Sequence, residues 1–216
     1  MSVQIRRDFL EEMAGPISDE QISLLSRYSG ILLDASDRMN LMSRGQLERL
    51  SEHVMDAAAV LRVVEPRGLN CADLGSGGGL PGVVLAVLRP EARITLIDSR
   101  RSKIVVLKRI QRELALSNME IVHERIESLP VGTYDLGFSR AVGSAQRTLA
   151  ASLRLIGQGG RLILYKGPGW VRERAAMAAV ADREGAELRR AVEVPLPGTD
   201  RVTTFVEFHV ERHERA

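Results

Sequence analysis

Asp73 closes a short apolar run, and the ten residues that begin with it contain Gly75, Gly77, Gly78, Gly79 and Gly82. A second acid, Asp98, closes the next apolar run 23 residues after Gly75. Glycine loses more backbone entropy on folding than any other residue, so a cluster of this density marks backbone that must come close to a ligand. No Lys-Ser or Lys-Thr follows the glycines, which removes the phosphate-and-magnesium grip of a nucleoside triphosphate loop. Gly77, Gly79 and Gly82 have the G-x-G-x-x-G spacing of a dinucleotide site, but that pattern alone is weak, and Asp73 would lie beside a pyrophosphate of like charge. An acid there suits a cation. S-adenosylmethionine carries an ammonium and a sulfonium, has no phosphate, and presents a ribose diol from which the Asp98 carboxylate can accept two hydrogen bonds. The residues therefore predict S-adenosylmethionine, with two acids that only solvate strand ends as the plain alternative.

Methyl transfer from an activated donor is an in-line displacement, so the protein's main task is to hold nucleophile and electrophile at near-attack distance. Methylation of cytosine C5 uses an enzymic cysteine, usually in a Pro-Cys pair, whereas Cys71 follows Asn70. Exocyclic adenine methylation uses an acid or amide followed by Pro-Pro and an aromatic, and this chain has no Pro-Pro. A ring nitrogen such as guanine N7 already presents a lone pair and needs neither device. Cys71, the only cysteine, lies within an apolar run and is predicted to be a buried structural thiol.

The elements that would position these residues show in the rhythm of the chain. From Leu69 onward, apolar runs near "LNCADL", "ITLID", "EIVH", "YDLGFS" and "RLILY" alternate with helical segments at about 81–88, 102–116 and 143–155. Parallel strands with crossover helices require this alternation, and in such a sheet the first strand-to-helix turn lies at the ligand-binding edge. Ile104, Leu107, Ile110 and Leu114 share one helix face. After a further helix at about 171–185, "RRAVEVPLPG" and "RVTTFVEFHV" predict an antiparallel hairpin at the sheet edge. The first 65 residues read as helix. Capping boxes at Ser18 with Gln21 and at Ser43 with Gln46 open amphipathic stretches that place Ile22, Leu25, Tyr28 and Leu32, then Leu47, Leu50, Val54 and Leu61, on buried faces.

The chain has 216 residues, 44% of them hydrophobic, enough for one sizeable core. It predicts a single compact domain, with a helical extension over 1–65 and an α/β core over 66–216. No stretch is long and apolar enough for a membrane span or a signal peptide, which predicts a cytoplasmic protein. Net charge is only +2, but "RRSKIVVLKRIQR" at 100–112 holds Arg100, Arg101, Lys103, Lys108, Arg109 and Arg112 with no acid. Such a run suits a polyanion footprint, and a solvated helix face accounts for it equally well.

These features together resemble the RsmG family, the small-subunit ribosomal RNA guanine-N7 methyltransferases formerly called glucose-inhibited division protein B. The resemblance runs from about Tyr28 to the C-terminus. It is carried by "MNLMS" at 39–43, His53 with Asp56, "DLGSGGGLPG" at 73–82, "LIDS" at 96–99, Ile126 with Glu127, "SRA" at 139–141, and Lys166 with Gly167. It implies a Rossmann-like, seven-stranded methyltransferase sheet with helices on both faces and an N-terminal helical extension. It implies that Gly75, Leu80, Ile126, Glu127 and Arg140 line the S-adenosylmethionine site beside Asp73, Gly77 and Asp98, with no metal. Arg140 and Lys166 become the candidates to act at the reacting centre. His53, Asp56, Arg100, Arg101 and Lys103 become candidates to meet the substrate, a small-subunit ribosomal RNA that is either free or within the assembled subunit. The protein is expected to act as a monomer.

The chain departs from the family pattern where that pattern would meet RNA. Ala35 and Ser36 stand in place of Trp-Asn, Glu52 in place of an arginine, and Asp56-Ala57 in place of Asp-Ser. The basic residues after "LIDS" are rearranged into "RRSK". Two rival readings share the glycine loop: a methyltransferase acting on another RNA, a protein or a small molecule, and an NAD-dependent oxidoreductase.

Overall fold

The structure, a computed structural model, describes residues 4–39, 42–140 and 146–211. Parts of two motifs, Asn40 and Leu41 of "MNLMS" and Ala141 of "SRA", lie outside the described residues.

Seven strands form one sheet: β1 (Asn70–Leu74), β2 (Arg93–Ile97), β3 (Met119–Val122), β4 (Tyr134–Ser139), β5 (Ile156–Lys166), β6 (Ala186–Pro195) and β7 (Val202–Val210). Their order is β3-β2-β1-β4-β5-β7-β6. The first five strands run parallel, and β7 runs antiparallel between β5 and β6. The predicted C-terminal hairpin thus forms with its second strand on the inside. Side-chain chemistry explains the order: β7 is buried almost throughout and can take neighbours on both edges, whereas β6 alternates with exposed Glu187, Arg189 and Glu193 and suits an edge.

Helices cover both faces. On one lie α1 (Arg7–Ala14), α2 (Asp19–Met39), α3 (Arg44–Glu48), α4 (Leu50–Ala58), α5 (Gly82–Leu88) and α6 (Arg101–Leu114). On the other lie α7 (Gln146–Leu155) and α8 (Arg174–Arg183). Leu25, Tyr28, Leu32 and Val54 of the N-terminal helices belong to the same buried cluster as Val83, Leu107 and Phe138, so this extension packs directly on the α/β core.

Both capping boxes form. The Ser18 Oγ accepts from the Gln21 N–H at 3.2 Å while the Gln21 side chain accepts from the Ser18 N–H at 3.0 Å. Ser43 and Gln46 make the same reciprocal pair at the start of α3. The helix expected to run on from there breaks at Arg49, whose φ of −109° and ψ of 26° part α3 from α4, and Leu47 is only half-buried. A 3-10 turn, Ala59–Arg62, follows α4. Cys71 is fully buried, and burial pushes its thiol up to about 12, which leaves it inert as a nucleophile.

Candidate cofactor and substrate site

The glycine loop leaves β1 and is pinned from both sides. The Gly75 and Ser76 N–H groups donate to the Ile97 carbonyl of β2 at 2.9 and 3.0 Å. Gly75, Gly77 and Gly79 have φ of 78°, 56° and 99°, values that only glycine adopts freely. A Cβ at Gly75 would meet nothing within 4 Å, and one at Gly77 only the Gly75 carbonyl at 3.9 Å, so this stretch of backbone faces open space. The loop's other side is held by Tyr28 of α2, whose hydroxyl, wholly buried, donates to the Gly78 carbonyl at 2.9 Å. An N-terminal helix therefore shapes the loop, a role the sequence pattern assigned only to core packing.

The two acids are themselves part of this frame. One Asp73 oxygen, Oδ2, accepts from the Gly82 N–H at 2.9 Å and so anchors the start of α5. Its other oxygen, Oδ1, is buried and has no hydrogen-bond partner among the described residues. Asp98 accepts from the Gly77 N–H at 2.9 Å and the Arg100 N–H at 2.8 Å. An ionised carboxylate has about four acceptor sites, so both acids retain capacity toward a ligand. A buried, half-satisfied acid beside a cradle of bare backbone fits a cationic ligand without phosphates.

Sheet register places Arg140 beside this loop. Asp73 pairs with Phe138, two residues before Arg140, and the Ser139 Oγ donates to the Leu74 carbonyl at 2.8 Å. The Arg140 guanidinium makes a 2.9 Å ion pair with Asp56 and donates to the His53 Nδ1 at 3.4 Å. It also lies 5.8 Å from the Tyr165 ring centroid. Asp56 accepts a second bond from the Thr203 hydroxyl of β7. Burial, then the Arg140 charge, holds the His53 imidazole below its ordinary value, so the ring beside Arg140 is neutral. The structure thus joins His53 and Asp56 of α4 with Arg140, 87 residues from His53, in one polar cluster. Arg140, Tyr165, Lys166 and Thr203 border a cavity of about 440 Å³, and Lys166 makes a 2.9 Å ion pair with Glu173. Thr203, Tyr165 and Arg201 belong to none of the sequence motifs, although the polar pair Thr203-Thr204 inside a strand pattern is a usable signal.

The remaining candidates are dispersed. Leu80 is half-buried against the first core cluster. Ile126 and Glu127 sit in a 3-10 turn, Ile126–Ser128, beyond β3 and border a cavity of about 210 Å³ against α7. Arg100 and Arg101 are exposed at the start of α6, but Lys103 is buried, because its helical phase turns it inward with Ile104. Burial lowers its ammonium from the ordinary value. The expectation of Lys103 at an open RNA surface is corrected accordingly. Arg109, of the same basic run, is tied to Asp34 and Glu113, which leaves Arg100, Arg101, Lys108 and Arg112 exposed.

Comparison with known proteins identifies the family and the fold. A model of the GidB family, described as rRNA small subunit methyltransferase G, matches residues 21–194. Proteins named ribosomal RNA small subunit methyltransferase G are similar over most of the chain. The one from Carboxydothermus hydrogenoformans is 34% identical over 198 residues, covering 89% of this chain and 84% of its own. That from Pseudomonas aeruginosa PAO1 is 36% identical over 180 residues, covering 82% of each. Among solved structures, magnesium protoporphyrin IX methyltransferase from Synechocystis PCC 6803 with bound SAM shares the fold at a TM-score of 0.59 and 17% identity, over 91% of this chain and 99% of that one. No helix among the described residues is long and apolar enough to cross a membrane.

Proposed function

The chain belongs to the GidB family of rRNA small subunit methyltransferases G, and from that premise we propose that it methylates N7 of a guanine in 16S ribosomal RNA with S-adenosylmethionine as donor. The observation that carries the reading is the placement of Arg140: it follows the strand paired with Asp73 and borders the 440 Å³ cavity. In this reading the glycine loop, Asp73 and Asp98 hold the donor, and the cavity takes the acceptor base. The donor, when bound, supplies an electrophilic methyl on a sulfonium. The protein's own share is alignment. The guanine lone pair needs no base to activate it, and in this reading Arg140 and Lys166 donate to the guanine O6 beside N7. N7 is hidden in the deep, narrow groove of A-form helices, so the target is an unstacked base. Exposed Arg100, Arg101, Lys108 and Arg112 would contact phosphates and set position rather than sequence.

The test uses small ribosomal subunits and naked 16S RNA from a strain lacking this gene, with the purified protein and radiolabelled S-adenosylmethionine. Label at one guanine that is cleaved by chemistry specific for 7-methylguanine is the expected result. Donor binding without label in either substrate would move the acceptor to another molecule and overturn the reading.

Asp73 makes donor binding sensitive to pH. Burial pushes its carboxyl up to about 7, against the opposing pull of the Gly82 N–H and Arg140 and with Asp98 adding to the rise. Because the folded value lies above the unfolded one, the group's contribution to stability is full below about pH 4 and is lost as pH rises through 7. A ligand cation selects the ionised form, so the sign reverses for binding: affinity should weaken about tenfold per unit as pH falls below 7, with one proton released on binding. Titration calorimetry between pH 5.5 and 7 in two buffers of different ionisation enthalpy reads both effects. A flat dissociation constant with no proton release would show that Asp73 does not meet the cation.

A further inference from the structure

Three cations border the 440 Å³ cavity, and each is matched by a carboxylate from another element. Arg140 pairs with Asp56, Lys166 with Glu173, and Arg201 with Glu52, at 2.9, 2.9 and 3.1 Å. Glu52 and Asp56 are four apart on α4: Asp56 lines this cavity, whereas Glu52 lines a neighbouring one of about 220 Å³ and reaches Arg201 at the border from there. Their surroundings differ. The Asp56 side chain is 7% exposed and accepts from Thr203 as well as Arg140, which makes it a fixed support. The Glu52 side chain is 29% exposed, its Arg201 partner 41%, and a single hydrogen bond joins them. An exposed single-contact ion pair of this kind is easily exchanged for another anion.

The backbone beneath Arg201 does not need to move for that exchange. The Arg201 carbonyl accepts from the Leu196 N–H at 2.9 Å, and its N–H donates to the Thr199 Oγ1 at 3.1 Å, so the turn between β6 and β7 is held while the guanidinium is free to turn. Asp200, on the same turn, is exposed at the cavity and remains a like charge to any anion that enters. We propose that Glu52 is a releasable internal counter-ion of Arg201: it occupies the place where a phosphate of the RNA substrate docks, and so tunes RNA affinity. This rests on the reading of the cavity as the RNA site. Glu52 is thereby a positioning residue, acting through Arg201.

The test measures binding of a fluorescent single-stranded oligoribonucleotide from 50 to 300 mM salt, beside methyl transfer to 16S RNA. Glu52→Gln should bind the oligonucleotide about threefold tighter at low salt, with a log-log salt slope steeper by about 0.7, the increment for one added single-strand phosphate contact. The gain should fall in KM for RNA rather than in kcat. Arg201→Gln should weaken binding with a shallower slope, and the double variant should match Arg201→Gln alone. A lowered melting temperature with unchanged affinity and slope would make the pair merely structural and overturn the proposal, as would a gain that persists in the double variant. Should Glu52→Gln fail to fold, an Arg201→Gln slope equal to that of the wild type overturns it equally. Oligonucleotide binding that responds as stated, with no methyl transfer to 16S RNA by the wild type, would overturn the assigned substrate instead and leave Glu52 in its role.

Discussion

Gly79→Ala is expected to weaken S-adenosylmethionine binding by roughly 30- to 1,000-fold. Gly79 has φ of 99°, and a Cβ there would stand 2.5 Å from the Val83 Cγ2, 3.3 Å from a Leu107 methyl and 3.4 Å from the Tyr28 hydroxyl. Val83 cannot retreat, because it is fully buried on α5 and its N–H donates to the Gly79 carbonyl at 2.8 Å. Left-handed strain on an L-residue costs about 1–2 kcal/mol and an added methyl in a filled core about 1–3. If the loop meets most of that by shifting, the cradle for the ligand moves, and about 2–4 kcal/mol lost from binding corresponds to the stated range. Gly30→Ala is the control, since a Cβ at Gly30 meets nothing within 4 Å and the site lies within α2, where alanine is the better helix former. Calorimetric binding and thermal unfolding of both variants decide the matter. An unchanged dissociation constant for Gly79→Ala would show that this turn does not shape the donor site.

The second large effect separates folding from catalysis at one ion pair. Arg140→Met leaves the Asp56 carboxylate, 7% exposed, with Thr203 as its one hydrogen-bond partner among the described residues. Removing one member of a buried pair costs about 3–5 kcal/mol, and partial exposure of Arg140 reduces this to about 2–4. Methyl transfer to 16S RNA should fall by about a hundredfold or more, because in the proposed reading Arg140 is the group that aligns the base. The double variant Asp56→Leu/Arg140→Met replaces the pair by apolar side chains and should recover most of the stability, as such replacements commonly do. It should recover none of the activity. Recovery of methyl transfer in the double variant would reduce Arg140 to a structural role. Urea unfolding and single-turnover methylation supply the two readouts.

Legibility in the sequence followed the range of each interaction. The capping boxes at Ser18 and Ser43 formed because donor and acceptor are three residues apart, and no other part of the chain had to cooperate. The glycine loop was equally legible, since positive φ at Gly75, Gly77 and Gly79 is a local demand. The burial of Lys103 was legible too: a basic run states composition and not helical phase, but the stripe of Ile104, Leu107, Ile110 and Leu114 gives the phase, and Lys103, four residues before Leu107, lies on it. The break at Arg49 was not legible: α3 and α4 each have helical pattern, and the turn between them is decided by how α4 docks on α5.

By itself the sequence determined the order of strands and helices, the place of the glycine loop at the end of β1, and the family. These rest on periodicity, turn chemistry and short motifs, all of which act over a few residues. The tertiary structure alone decided that Tyr28 supports the loop across 50 residues, that His53 meets Arg140 across 87, and that Asp56 and Glu52 reach Thr203 and Arg201 across 147 and 149. Those contacts exist only once β7 is inserted beside β5 and α4 is packed over the sheet, a joint outcome of apolar burial that no local pattern encodes.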